Sequence, residues 1–141
     1  MKITKILNRN YLYNKELIEK YCVLFFEIDS GNWIKFVIDD GVLFLEKVKD
    51  IKSEEYSGDD EFNYPIEEYN IKEDWGNIIS INEYKYKEIN GESSGFLFVL
   101  ENKVMSYVDY KDKLEFIEDI KKELLRDHII KPIDNWEKIL A

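Results

Sequence analysis

The chain has 141 residues, 20 of them basic and 30 acidic, for a formal net charge of −10. With 45% hydrophobic residues, 15% aromatic residues and only two prolines, it is not a disordered composition; its length suits a single domain over 1–141 that buries about two-thirds of its unfolded surface. The acidic balance argues against direct nucleic-acid binding and against adhesion to anionic membranes.

In chain order, an ambiguous segment from Ile3 to Leu7 precedes Asn14–Lys20, which reads as a short helix capped by Asn14. Three β-rich runs follow, Cys22–Ile28, Asn32–Ile38 and Val42–Val48. Their separators are Asp29-Ser30-Gly31 and Asp39-Asp40-Gly41. Asp-Gly between apolar runs signals a hairpin, because a type I′ turn needs positive φ, so the three runs read as an antiparallel meander. Both faces of these strands carry apolar residues, which calls for a second cover, expected to be a helix.

After an acidic segment, Asn77–Ile89 reads as a long half-exposed strand. Residues 91–95 read as a flexible turn, and Phe96–Leu100 with Val104–Tyr110 as a second hairpin. Leu114, Ile117, Ile120, Leu124 and Leu125 fall on one face of a predicted helix. Asp112 opens that helix, and Pro132 ends it at or before about residue 130. A last short helix is expected from Asp134, presenting Trp136, Ile139 and Leu140 to the core. No internal repeat or linker is visible. The expected class is α+β: about six mostly antiparallel strands in two three-stranded units, with a short N-terminal helix and C-terminal helices packed on them.

The charge is unevenly placed. Residues 1–52 carry +1, residues 53–74 carry −8 and residues 75–141 carry −3. The acidic segment holds Glu54, Glu55, Asp59, Asp60, Glu61, Glu67, Glu68, Glu73 and Asp74 against Lys72 alone. It also holds Tyr56, Phe62, Tyr64 and Tyr69, with Trp75 just beyond. Acidic tails that stay disordered are poor in aromatics. Rings between carboxylates suggest a segment that packs down and offers a basic partner both anchors and steering charge. The expected partner-binding set is Glu54, Glu55, Tyr56, Asp59, Asp60, Glu61, Tyr64, Glu67, Glu68, Tyr69, Glu73, Asp74 and Trp75. The alternative is a solvated connecting loop whose tyrosines cover the core.

Catalytic signals are sparse. His128 is the single histidine and Cys22 the single cysteine. One of each makes a nitrogen–sulfur metal site implausible and excludes an intrachain disulfide. His128 reads as a cation at a helix C-terminus and Cys22 as core packing. The acidic runs lack EF-hand spacing, and no phosphate-loop, dinucleotide or nucleophile-elbow pattern occurs. Tyr84, Tyr86, Phe96 and Phe98 come without the cations that an RNA-stacking sheet uses on phosphates. No catalytic residue, metal or cofactor is therefore expected.

The longest apolar run, Cys22-Val23-Leu24-Phe25-Phe26, falls far short of the ~20 residues of a membrane span. With no signal-peptide pattern, a cytoplasmic setting is expected. The Lys-, Ile-, Asn- and Glu-rich usage resembles that of AT-rich bacterial genomes or their phages. In size, single-domain character and missing catalytic set the chain resembles cytoplasmic immunity proteins of polymorphic-toxin systems, a likeness that no motif residue carries. The resemblance implies a monomeric or weakly dimeric inhibitor whose partner is a basic toxin domain, such as a nuclease. A phage anti-defence mimic of nucleic-acid charge, aimed at a host nuclease, would need the same surface. A carboxylate-based enzyme or small-ligand module is the third reading.

Overall fold

Left-handed residues fold the chain back on itself at four turns. Asn14-Lys15 (φ 48° and 66°), Asp40-Gly41 (46° and 82°) and Lys111-Asp112 (52° and 61°) are two-residue hairpin turns. Asp29-Ser30 (51° and 57°) opens a three-residue loop. Positive φ at both central residues matches the right-handed twist of the flanking strands. Asn and Asp tolerate it because their short polar side chains bond locally. The computed structural model describes every residue except Tyr56, Ser57, Asp60, Ile89 and Asn90.

The described residues form eleven strands: β1 Ile3–Tyr13, β2 Glu16–Ile28, β3 Asn32–Asp39, β4 Val42–Val48, β5 Phe62–Asn63, β6 Ile66–Tyr69, β7 Ile78–Tyr86, β8 Ser93–Leu100, β9 Val104–Tyr110, β10 Lys113–Ile117 and β11 His128–Pro132. They build two antiparallel sheets. One has the order β4-β3-β2-β1-β5, with β6 also on β1. The other has the order β10-β9-β8-β7-β11. The same path is drawn twice. Four strands run as a meander, a 3₁₀ turn follows (Ile51–Glu54, then Lys122–Arg126), and the chain returns to pair with the free edge of its first strand.

The α+β expectation is therefore overturned: there is no α-helix among the described residues, and the architecture is all-β. Asn14 does not cap a helix, because Asn14-Lys15 turns β1 into β2. The ambiguous Ile3–Leu7 lies within β1. Residues 91–95 are not all turn, since Ser93 to Gly95 open β8. The helix expected after Asp112 is replaced by β10, a 3₁₀ turn and β11. The spacing Leu114, Ile117, Ile120 fits a helix, but Leu114 and Phe116 also fit period two. Lys111-Asp112 delivers residue 113 opposite Tyr110, where β9 offers an unpaired edge. Sheet pairing at that edge overrides a weak local preference. The last predicted helix is a single 3₁₀ turn, Trp136–Leu140, and the cover of the first sheet's outer face is likewise a 3₁₀ turn.

The sheets pack face to face through phenylalanines. Phe26 lies 4.8 Å from Phe36 and 4.7 Å from Phe98, and Phe36 lies 5.2 Å from Phe96. Such pairs contribute about 0.5–1.5 kcal/mol beyond the area they bury. Around them sit Ile6, Leu24, Ile28, Ile34, Ile81 and Tyr107, all fully buried. The sheets are tied at their margins by the Lys2–Asn77 bridge, by the Ser93 N–H donating to Gly41 O (2.9 Å) and by the Tyr107 hydroxyl donating to Tyr21 O (2.6 Å). Each outer face keeps a smaller apolar cluster: Val23, Phe25 and Val48 with Ile51 on one sheet, Tyr84, Leu97 and Val108 with Leu124 on the other. Ile51 and Leu124 belong to the two 3₁₀ turns, so each turn caps the sheet that precedes it. The C-terminal turn sets Trp136, Ile139 and Leu140 against the central core. Among the described residues no helix is long and apolar enough to cross a membrane.

Gly95 sits where β8 is bulged against β7. A Cβ there would lie 2.2 Å from the Tyr107 carbonyl oxygen and 2.6 Å from Val108 Cα, at φ 154°. Gly95→Ala is expected to cost about 1–3 kcal/mol or more, read as a lower urea midpoint with an unchanged slope.

Candidate functional site

The acidic segment is a strap along the outer edge of β1. Asp50 Oδ1 accepts from Lys52 N (3.0 Å) and starts the 3₁₀ turn Ile51–Glu54. Asp59 Oδ1 accepts from the N–H groups of Glu61 (2.9 Å) and Phe62 (2.7 Å), a local turn that feeds β5. Pro65 has no N–H and separates β5 from β6, yet its carbonyl accepts from Asn10 N (3.0 Å). Leu12 and Tyr13 pair with Asn63 and Phe62, and Ile6 to Arg9 pair with Tyr69 to Ile66.

This pairing brings the carboxylates against cations of the body. Glu54 meets Lys35 (3.3 Å) and Arg9 (3.8 Å), with all three side chains no more than a fifth exposed. Glu67 meets Lys20 (3.3 Å) and accepts from Asn8 Nδ2 (3.1 Å). Glu68 meets Lys5 (3.9 Å), Asp74 meets Lys2 (3.1 Å), and Glu73 pairs with Lys103. The pairs outside the Glu54 cluster each have at least one exposed partner and add little stability. Their larger effect is on the field: five of the expected binding carboxylates are already neutralised. The bond from Asn8, ahead of the Lys20 charge, holds Glu67 below the usual carboxylate range. The Gly76 N–H, ahead of Lys2, does the same for Asp74.

Glu55, Asp59 and Glu61 have no ion pair among the described residues. The expected residues Tyr56 and Asp60 lie outside the described residues. The rings divide in the same way. Trp75 is 4% exposed and Tyr69 packs on Phe116 at 5.0 Å, so both anchor the strap to the core. Tyr64 stacks on Tyr11 (5.1 Å), and Phe62 lies on Tyr13 (5.4 Å) at the outer end of the β1–β2 arm. Tyr11 and Tyr13 were not among the expected site residues. Their alternation around Leu12 was readable, but only the pairing of β5 with β1 sets rings opposite them.

A second cluster surrounds His128, whose pairing with Tyr86 across β11 and β7 replaces the expected helix terminus. Nδ1 lies 2.9 Å from the Leu124 carbonyl and 2.7 Å from Asp127 Oδ1, both acceptors, so it carries the proton. Nε2 lies 2.8 Å from the Ser94 hydroxyl oxygen. Hydroxyl, imidazole and carboxylate stand in the order of an acyl-transfer triad. Their exposure is that of a clamp: Ser94 is 6% and His128 3% exposed, while Asp127 stands in water. The Tyr86 ring covers the imidazole with centroids 3.9 Å apart. A neighbouring cavity of about 320 Å³ is walled by Asp40, Glu92, Asp109 and Asp112, with Lys111 the one cation lining it among the described residues. Burial, then the charges of Asp112, Glu19 and Asp40, push the Asp109 carboxyl up.

Cys22 is half-buried, and burial followed by the Glu19 charge raises its thiol to about 11. It is the neutral thiol near pH 7 and not a nucleophile. Among the described residues no group of His, Cys, Asp or Glu side chains is arranged to hold a metal ion. Compared with family models, curated proteins and solved structures, the chain matches none of them.

His128→Ala leaves the buried Ser94 hydroxyl without its partner, while the Leu124 carbonyl keeps the Asp127 N–H (3.3 Å), and is expected to cost about 1–3 kcal/mol, measured by urea unfolding. The lowered pKa of Glu67 has its own consequence. Its contribution is full above the ordinary carboxylate pKa and disappears as pH falls through the lower folded value. Stability is expected to fall on acidification through that window. Glu67→Gln, which has no carboxyl to titrate there, should show a shallower fall in midpoint.

Proposed function

We propose that this protein is a small cytoplasmic protein-binding inhibitor, an immunity protein that neutralises a bacterial toxin with a basic, nucleic-acid-processing cleft. The observation that carries the reading is the strap itself: carboxylates and rings held in place along β1 by strand pairing, with Glu55, Asp59 and Glu61 free of ion pairs among the described residues. A surface ordered before contact loses little conformational freedom on binding. Unpaired carboxylates at its outer end attract a basic cleft at long range and raise the association rate at low salt. The body beneath it supplies rigidity, and its size is that of a one-domain inhibitor acting as a monomer or weak dimer.

Affinity capture from the native host at low and high salt, with mass spectrometry of the bound fraction, identifies the partner. The expected result is a basic protein retained at low salt and lost at high salt. Stopped-flow association of that protein with Glu55→Lys/Glu61→Lys is expected to be slower by roughly tenfold or more at low salt. An unchanged rate removes the strap from the interface. These two positions suit the test because neither carboxylate holds a body cation, so reversal leaves the fold's own ion pairs intact.

A further inference from the structure

Resting on the acidic-surface reading, we infer that the contact is made by a two-rung aromatic ladder at the tip of the β1–β2 arm, Tyr13–Phe62 and Tyr11–Tyr64, and that it takes an arginine-bearing loop of a basic protein. The rungs are set by register. Phe62 is paired with Tyr13 across β5 and β1, and Tyr64 follows two residues later on the same face as Tyr11. Tyr13 and Phe62 are 39% and 41% exposed, far more than a ring needs when its task is to anchor a strap. Compare Trp75, which does that task at 4%.

The charge around the ladder is predominantly acidic: three carboxylates stand against Lys15 in the Asn14-Lys15 turn, where the Asn14 N–H bonds the Glu61 carbonyl. Glu61 adjoins Phe62 and bears electrically on Tyr11, where burial and then the neighbouring tyrosines and Glu61 raise the phenol's pKa. Asp59 is bonded to the Phe62 N–H, and Glu16 stands opposite Tyr13. None of these three carboxylates has an ion pair among the described residues. Ring faces carry negative potential, and a guanidinium stacks on them while its N–H fork reaches carboxylates at the rim. The neutralised stretch from Glu67 to Asp74 offers neither feature. The strap thus works at its tip, and the rest of it holds that tip in place.

The test is a backbone-amide NMR titration of the full chain at low salt with a blocked Gly-Arg-Gly-Arg-Gly peptide and with its citrulline counterpart. The expected result is perturbation centred on Tyr11, Tyr13, Phe62 and Tyr64 by the arginine peptide and none by the citrulline peptide. Tyr13→Leu and Phe62→Leu keep apolar volume while removing a ring face. Each is expected to weaken binding about two- to fivefold, with the amide spectrum reporting that the arm still folds. Perturbation centred instead on residues 67–74, or on the cavity beside Asp109, overturns the ladder and leaves the acidic-surface reading standing. A chain that binds neither peptide overturns both.

Discussion

Strand β1 is hydrogen-bonded along both of its edges, by β2 on one side and by β5 and β6 on the other. An open strand edge presents unpaired N–H and C=O groups that invite adventitious pairing. Closing this edge with the chain's own acidic segment removes that hazard. It also decides where the segment's charges and rings lie. Once Ile6 to Arg9 are in register with Tyr69 to Ile66, Glu67 falls beside Asn8 and Lys20, Glu68 beside Lys5, and Tyr69 over Phe116. The site follows from a register, and the register follows from which faces must be apolar.

The electrostatics then separate by distance from the body. Where the strap crosses the core, its carboxylates meet Lys2, Lys5, Arg9, Lys20, Lys35 and Lys103. Where it reaches the tip of the β1–β2 arm, Asp59 and Glu61 form no ion pair among the described residues. A linear count of −8 over residues 53–74 therefore overstates the field over most of the strap and locates it at the outer end. Exposed ion pairs contribute little to stability, but they cancel potential. Their absence matters for encounter with a charged partner.

The repeated path explains how both sheets hide two apolar faces without an α-helix. In each half, the 3₁₀ turn after the fourth strand drops one aliphatic side chain, Ile51 or Leu124, onto the outer cluster before the chain returns to the first strand. The second turn is fixed further by a polar chain: the Lys121 N–H donates to the Tyr84 hydroxyl, which bonds Ser106, whose hydroxyl lies 2.6 Å from the Asp119 carbonyl. Ser94 and His128 complete the tie between β8, β11 and that turn. Buried polar groups of this kind are costly if left unpaired, which makes the network a specifier of one arrangement.

Much of this was legible locally. Asp-Gly and Asp-Ser-Gly between apolar runs mark the β2–β3–β4 meander because positive φ is a property of a few residue types. The hairpin of β8 and β9 and the concentration of charge in residues 53–74 can be read without a partner strand. The tail was misread because its helical spacing and its period-two alternation overlap, and a free edge on β9, invisible along the chain, selects the second. The same holds for the site. The identity of its carboxylates and rings is a matter of sequence, but which of them are neutralised, which are buried and which share a rung depends on contacts across tens of residues. Local chemistry chose the turns and the strands. Only strand pairing and sheet packing could decide the faces, because a side chain's exposure and its charged neighbours are set by what lies opposite it in space.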